Sequence, residues 1–446
     1  MPMQSRKHHP MKTYLNPPDS LFDEISERPF QDDPKAEEIV RNILERVKRD
    51  GDKALRELAL EIDGISLSSL RVSPEEIAEA SSKVPQEMKD ALEAAYANIW
   101  KFHEAELPSP VTVETSPGVT CTQMASPIKR VGLYIPGGTA PLFSTLLMLA
   151  IPAKVAGCPD IILCTPPSKD GSVNPTILFA ASLCGISSIY KAGGAQAIAA
   201  MAYGTESIPR RDKIFGPGNR FVMKAKQMLG LTRVAIDMPA GPSEVMVLAD
   251  SSAVPSFVAA DLLSQAEHGA DSQVVLVCGS EEFAQRVSES IELLKKDLPR
   301  SSAIEGSLSK SRTVIFTGED YRERMAAIAD HYAPEHLILS VKDPYEMLEK
   351  ISAAGSVFIG NYSPESAGDY ASGTNHTLPT SGWARSFGGV CTESFMRKFT
   401  VQELTPGGLK NLSPTIITMA EGEGLDAHAA AVKVRMGSLS GSYFGE

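Results

Sequence analysis

The stretch that decides the fold runs from Val131 to Gly204. It reads VGLYIPG (131–137), STLLMLAIPAKVAG (144–157), DIILCTPP (160–167), NPTILFAASLCG (174–185), SIYKAGG (188–194) and AQAIAAMAYG (195–204). Short β-branched runs alternate with apolar helical runs, the signature of βαβ units around a parallel sheet. A second series repeats the alternation: EVMVLAD (244–250), PSFVAADLLSQAEHG (255–269), QVVLVCG (273–279), RTVIFTG (312–318), LILSV (337–341) and SVFIGNY (356–362), with helical patterns between them. Two doubly wound α/β halves are expected, joined near Pro239–Pro242.

Outward from this core the pattern changes. Lys35–Ile62 and Pro74–Leu107 read as charged amphipathic helices with no strand between them. After Gly389 the chain becomes a helical tail rich in Glu, Met and Ala. The expected division is an N-terminal extension (1–30), a first α/β domain (31–132 and 244–386), a second α/β domain (133–243) and a helical tail (387–446). At 446 residues the chain exceeds what one hydrophobic core usually holds. A net charge of -12 argues against a nucleic-acid or anionic-membrane partner, because holding phosphates needs clustered Lys and Arg. The longest apolar stretch, Leu142–Gly157, is broken by Ser144, Thr145, Pro152 and Lys154, so no membrane span is expected. Met1–Lys12 is polar and lacks an apolar signal core, and a cytoplasmic protein is expected. The six cysteines form no CxxC pair and fit reduced, mostly buried thiols.

Few residues offer chemistry. Gln265 and His268 lie three apart at the end of one helix, on a shared face that could clasp a metal. The same spacing also fits a solvated helix end. Glu335 and His336 stand between Pro334 and LILS, where helix passes to strand at what reads as a sheet edge. They offer two bases of different pKa, suited to a reaction that removes protons in separate steps. Adjacent side chains diverge, so the pair need not touch, and an exposed turn would look the same. GDYASGTNH (368–376) supplies Asp369 and His376 in a glycine-bearing loop. EGLDAH (423–428) places Glu423 and His428 at the start of a tail helix. Gly422, Gly424 and Ala427 spell GxGxxA, but no strand precedes them, so this is not a dinucleotide fingerprint. Better cofactor candidates are the strand exits carrying Tyr134 (YIPGG), Gln196 (GGAQ) and Asn219 (FGPGN), although such strings are also ordinary turns.

Taken in order, VGLYIPGG, GGAQAIAA, GPGN, IDMPAGPSEV, LLSQAEHG, APEHL, GDYASGTNH and EGLDAH resemble histidinol dehydrogenase over nearly the whole chain from about residue 30. The resemblance implies two Rossmann-like domains with helical N- and C-terminal extensions in an arm-exchanged homodimer with shared active sites. It implies one zinc ion per subunit on Gln265, His268, Asp369 and His428, the last from the partner's tail. It also implies His336 as the base for the alcohol step and Glu335 as the activator of water for the aldehyde step. Ser243, His376 and Glu423 join the zinc ligands and His336 as substrate contacts. NAD falls to Tyr134, Gln196 and Asn219. The implied reaction is the four-electron oxidation of L-histidinol through L-histidinal to L-histidine. The competing readings are a zinc and NAD enzyme of the same fold acting on another small polar alcohol, a silent zinc scaffold, and a zinc hydrolase. The presence of Glu335, His336, GGAQ and GPGN weighs against the last two.

Overall fold

The structure is a computed structural model, in which residues 11–29, 34–137, 141–230 and 232–439 are described. Residues 1–10 and 440–446, at the outer ends of the expected extension and tail, lie outside these. Numbered along the chain, the strands are β1 (Lys12–Leu15), β2 (Val111–Ser116), β3 (Val119–Pro127), β4 (Arg130–Tyr134) and β5 (Asp160–Thr165). Next come β6 (Ile189–Lys191), β7 (Lys213–Phe215), β8 (Ala235–Ile236), β9 (Glu244–Ala249) and β10 (Gln273–Cys278). Last are β11 (Arg312–Ile315), β12 (His336–Ser340), β13 (Ser356–Ile359) and β14 (Met396–Leu404). The chain divides into two compact units, Met1–Glu106 with Ile128–Phe395, and Leu107–Pro127 with Met396–Glu446.

The first unit holds two parallel sheets, ordered β6-β5-β4-β7-β8 and β1-β11-β10-β9-β12-β13. Counted within each sheet, β4–β8 and β9–β13 both follow the order 3-2-1-4-5, so the two halves share one topology. The apolar runs are continuous because parallel strands are covered on both faces. Every residue of β9 and β10 is buried.

The helix Phe143–Val155 is buried from Ser144 to Ala153, and Gly194–Tyr203 from Ala195 to Ala202. The N-terminal helices explain this. Pro34–Leu58 packs on Gly194–Tyr203 and Arg220–Gly230, Pro74–Lys83 on Pro175–Leu183, and Gln86–Ala105 on Phe143–Val155. They form a further layer over the five-stranded sheet, enclosing its apolar helices.

Several expected boundaries therefore move. Residues 34–105 clothe the five-stranded sheet rather than joining 244–386, because the all-apolar helices of that sheet need a second cover. The cut at 132/133 falls inside β4. The N-terminal extension contributes β1, which extends the six-stranded sheet beyond β11. The second unit is not purely helical. It pairs β14 antiparallel with β3, and β3 with β2, before the helices Pro406–Gly422 and Asp426–Leu439. Pro85 splits the expected helix 74–107 in two, since proline disfavours helical backbone before it and removes a donor.

Asp52 anchors the helix Pro34–Leu58 to the loop after Gly194–Tyr203. It is buried and accepts hydrogen bonds from the Thr205 hydroxyl at 2.6 Å and from the Ser207 N–H and hydroxyl. Burial opposes its charge, but these donors prevail and hold its pKa below the ordinary 3.8. Its stabilisation is thus full above that value and lost as pH falls through the lower, folded one. Replacing Asp52 by Ala is expected to cost about 1–3 kcal/mol at pH 7 by denaturant melts. The gap from wild type should narrow in acid.

Candidate functional site

β9 and β12 lie side by side in the middle of the six-stranded sheet, with His336 opposite Val245. Glu335 and His336 therefore sit at the amino end of an interior strand, not at a sheet edge. The Glu244 peptide at the mouth of β9 organises the site. Its N–H donates to Glu335 Oε2 at 2.8 Å. Its carbonyl accepts from Gln265 Nε2 at 3.0 Å and stands 3.2 Å from His336 Nδ1. A proton on Nδ1 shared with that carbonyl leaves the Nε2 lone pair for chemistry. Nε2 is buried without a hydrogen-bond partner among the described residues, 3.5 Å from Asp369 Oδ1. The expected divergence of Glu335 and His336 is modest, for Glu335 Oε2 lies 3.7 Å from His336 Nδ1 and both side chains line one cavity.

That cavity, about 150 Å³, lies between the amino ends of β9 and β12 and the carboxyl ends of β7 and β8. Ser243, Gln265, His268, Glu335, His336, Asp369 and His376 all line it. Gln265 is held by its amide nitrogen, so its oxygen remains uncommitted. His376 is fixed by Asp369 O at 2.8 Å from Nδ1 and by Thr145 Oγ1 at 3.1 Å from Nε2, and burial pushes it below the ordinary imidazole value. Crowding does the same to His268, although the residue is exposed in the chain.

The sequence reading missed Glu365. It shares the short helix Glu365–Tyr370 with Asp369, one turn apart, and is 1% exposed with neither carboxylate oxygen hydrogen-bonded. One ligand atom from each of His268, Glu365 and Asp369 lies within 4.8 Å of the others. A Glu in the first turn of a helix normally reads as a complement to the helix dipole, which hid it. Also missed was the buried Lys226–Asp237 ion pair. Lys226 Nζ donates to Gly216 O and Asp237 accepts from Gly216 N–H, both at 2.8 Å, fixing the loop after β7.

The electrostatics are unbalanced. Burial pushes Glu335 up to about 8 and Glu365 well above the usual range. Burial also opposes charge on His336, but Glu365, Glu335 and Asp369 raise it to about 10. For Asp369 burial is outweighed by His336, which keeps it below the ordinary value. Three carboxyls around one imidazole leave room for added positive charge.

Tyr134, Gln196 and Asn219 meet in a separate cleft of about 710 Å³ at the carboxyl ends of β4, β5 and β6. Two of them also do structural work. Tyr134 Oη accepts from Gly194 N–H at 3.0 Å, and Asn219 Oδ1 accepts from the N–H of Phe221 and Val222, capping the following helix. Glu423 and His428 belong to the second unit, exposed at adjoining ends of its two helices. The GxGxxA string falls between those helices, with no strand before it.

The family model described as "Histidinol dehydrogenase" matches residues 26–436. The chain belongs to the histidinol dehydrogenase family. It is 54% identical over 426 residues to the histidinol dehydrogenase of Bacteroides fragilis, covering 96% of this chain and 99% of that protein. It is 51% identical over 421 residues to the one from Vibrio vulnificus, covering 94% and 96%. The crystal structure of histidinol dehydrogenase from Elizabethkingia anophelis superimposes with a TM-score of 0.94 at 50% identity, covering 98% of this chain and all of that one.

Behind the site, Arg28 grips the buried Glu244 carboxylate at 3.0 and 3.2 Å, donates to Tyr332 O at 2.6 Å and stacks 3.5 Å over the Tyr332 ring. Arg28→Ala would strand that carboxylate. An expected cost of about 3–5 kcal/mol can be read from urea denaturation, with Arg28→Lys intermediate because it loses the fork.

Proposed function

We propose that this chain oxidises L-histidinol through L-histidinal to L-histidine in two NAD-linked steps, as an oxidoreductase of histidine biosynthesis. The observation that carries the mechanism is the unpartnered His336 Nε2 facing the same cavity as Glu335, Gln265, His268 and Asp369. His336 Nε2 takes the hydroxyl proton as the substrate carbon gives up its hydride, leaving the aldehyde. Glu335 takes a proton from water while the water oxygen bonds to the aldehyde carbon, and His336 returns its proton to the carbonyl oxygen, so that a gem-diol forms and the imidazole is again neutral. The diol carbon gives up a second hydride and His336 a second time accepts a hydroxyl proton, leaving the carboxylic acid, which releases its remaining proton to solvent to give the carboxylate. NAD, when bound, accepts the two electrons of each oxidation. Its place in this reading is the cleft of Tyr134, Gln196 and Asn219, in a Rossmann-like domain whose strand order supports it.

The donor set fits a zinc-type dication. The His268 imidazole and the Asp369 and Glu365 carboxylates converge, Gln265 lines the same cavity, and no cysteine is among its described lining residues. Gln265, His268 and Asp369 would hold zinc, one ion per subunit, together with His428 of the partner subunit. When bound it supplies a fixed positive charge that anchors the substrate's nitrogens. The carboxylates that keep His336 protonated would then face a cation, which favours the neutral imidazole a base requires. Ser243 and His376 orient the substrate, joined by Glu423 across an arm-exchanged homodimer. Among the described residues no helix is long and apolar enough to cross a membrane.

The first test is stoichiometry. Two NADH per L-histidinol, lost on chelation and restored by zinc, is the expected result, whereas no NADH favours another small polar alcohol as substrate. In single-turnover assays, His336→Asn is expected to slow alcohol oxidation. Glu335→Gln should spare that step and stall aldehyde oxidation, abolishing a wild-type rate that climbs as pH rises and the Glu335 carboxyl, raised by burial, ionises. Exchange of arms makes a separate prediction. Co-expressed His336→Asn and His428→Ala chains should regain one working site per mixed dimer, while either variant alone stays far slower than wild type. Failure to complement would place each tail in its own subunit's site.

A further inference from the structure

The wall of the cofactor cleft opposite the strand ends is built by the helix Pro34–Leu58 and the turn of π-helix that follows, Ala59–Asp63. A π turn inserts an extra residue into the helical spiral and is frequent at functional positions. Here Ile62 and Asp63, neighbours in sequence, both line the cleft. Ile62 leaves 56% of its surface open, an apolar face without a cover among the described residues. Asp63 has no hydrogen bond or ion pair among those residues. The residue is exposed, although the protein around its carboxyl still raises it above the usual range, with no compensating charge.

Doubly wound dinucleotide domains commonly place an acid at the end of the second strand, where it accepts hydrogen bonds from a ribose diol. The second strand here is β5, which exits through Thr165, Pro166, Pro167, Ser168 and Lys169; the acid that follows, Asp170, accepts from the Ser172 N–H and hydroxyl and is not among the cleft's lining residues. Among the described lining residues Asp63 is the only carboxylate and Lys169 the only cationic side chain. Lys169, on the strand-exit side, suits a phosphate. Asp63, across the cleft, supplies the missing carboxylate from a different element.

We propose that Asp63 sets a preference for NAD over NADP, accepting hydrogen bonds from a ribose diol and repelling a 2′-phosphate. This rests on the reading of the cleft as a dinucleotide site. In that position a 2′-phosphate would put its negative charge beside a partly desolvated carboxylate, while a diol would donate to it.

The test titrates zinc-loaded wild-type, Asp63→Asn and Asp63→Ser proteins with NADH and with NADPH, following the cofactor's own fluorescence. Values of kcat/KM for NAD and NADP with L-histidinol are measured alongside. Wild type should bind NADH more tightly. In both variants NADH affinity should fall about tenfold, as for loss of a hydrogen bond to a charged acceptor. NADPH affinity should rise, collapsing the ratio in Kd and in kcat/KM without a matching fall in kcat. Unchanged ratios in variants with wild-type melting temperatures would overturn the role of Asp63. If wild type bound neither cofactor, the dinucleotide reading itself would fall.

Discussion

The buried ion pair between Arg28 and Glu244 underlies the site, because it holds in place the Glu244 backbone from which the proposed catalytic groups hang. Isolated burial of a carboxylate is costly, and only a bidentate, hydrogen-bonded partner makes it tolerable. Glu244 receives that partner from Arg28 and a further N–H from Ser381 at 2.9 Å. Its backbone then presents one donor to Glu335 and one acceptor to Gln265 and His336. A side chain on one face of the sheet mouth thus fixes the geometry of three functional groups through main-chain atoms.

Around that pin the first unit arranges opposing requirements. The strands are apolar enough to exclude water, which raises the cost of every unpaired charge near their ends. The site nevertheless gathers Glu335, Glu365 and Asp369 around a single imidazole. Desolvation and mutual repulsion hold protons on groups that would ordinarily be ionised, a condition that a bound cation relieves. Metal affinity and proton chemistry are therefore coupled by the same carboxyls. The loop after β7, fixed by Lys226 and Asp237, gives the cavity a rigid opposite wall.

The alternating pattern from Val131 to Tyr362 made both parallel sheets legible, since strands covered on both faces leave continuous apolar runs. The resemblance made seven cavity residues legible as well. Glu365 was not, because a lone Glu at the start of a short helix has the same pattern whether solvated or buried. Lys226 was hidden for a similar reason: its amphipathic helix tolerates a lysine in sequence, and only tertiary placement brings it to Asp237. The helices within residues 34–105 were legible, but not the sheet they cover, because helix amphipathicity reveals that a face is covered, not by which sheet. The antiparallel strands β2, β3 and β14 carry mixed, largely exposed residues, so neither a buried run nor a clean alternation marked them. The roles proposed for Glu423 and His428 require a second chain, and the residues' own spacing does not reveal one.

The two sheets share a strand order yet contribute opposite ends to the cavity: carboxyl ends from the five-stranded sheet, amino ends from the six-stranded one. The loops leaving the carboxyl ends of β9, β10 and β12 are consequently released from the duty such loops usually bear. In the five-stranded sheet a lengthened loop at the corresponding end would intrude on a cleft or the cavity. In the six-stranded sheet it would project from the side opposite the chemistry, making this the face where evolution or an engineer can add chain with least consequence for the reaction.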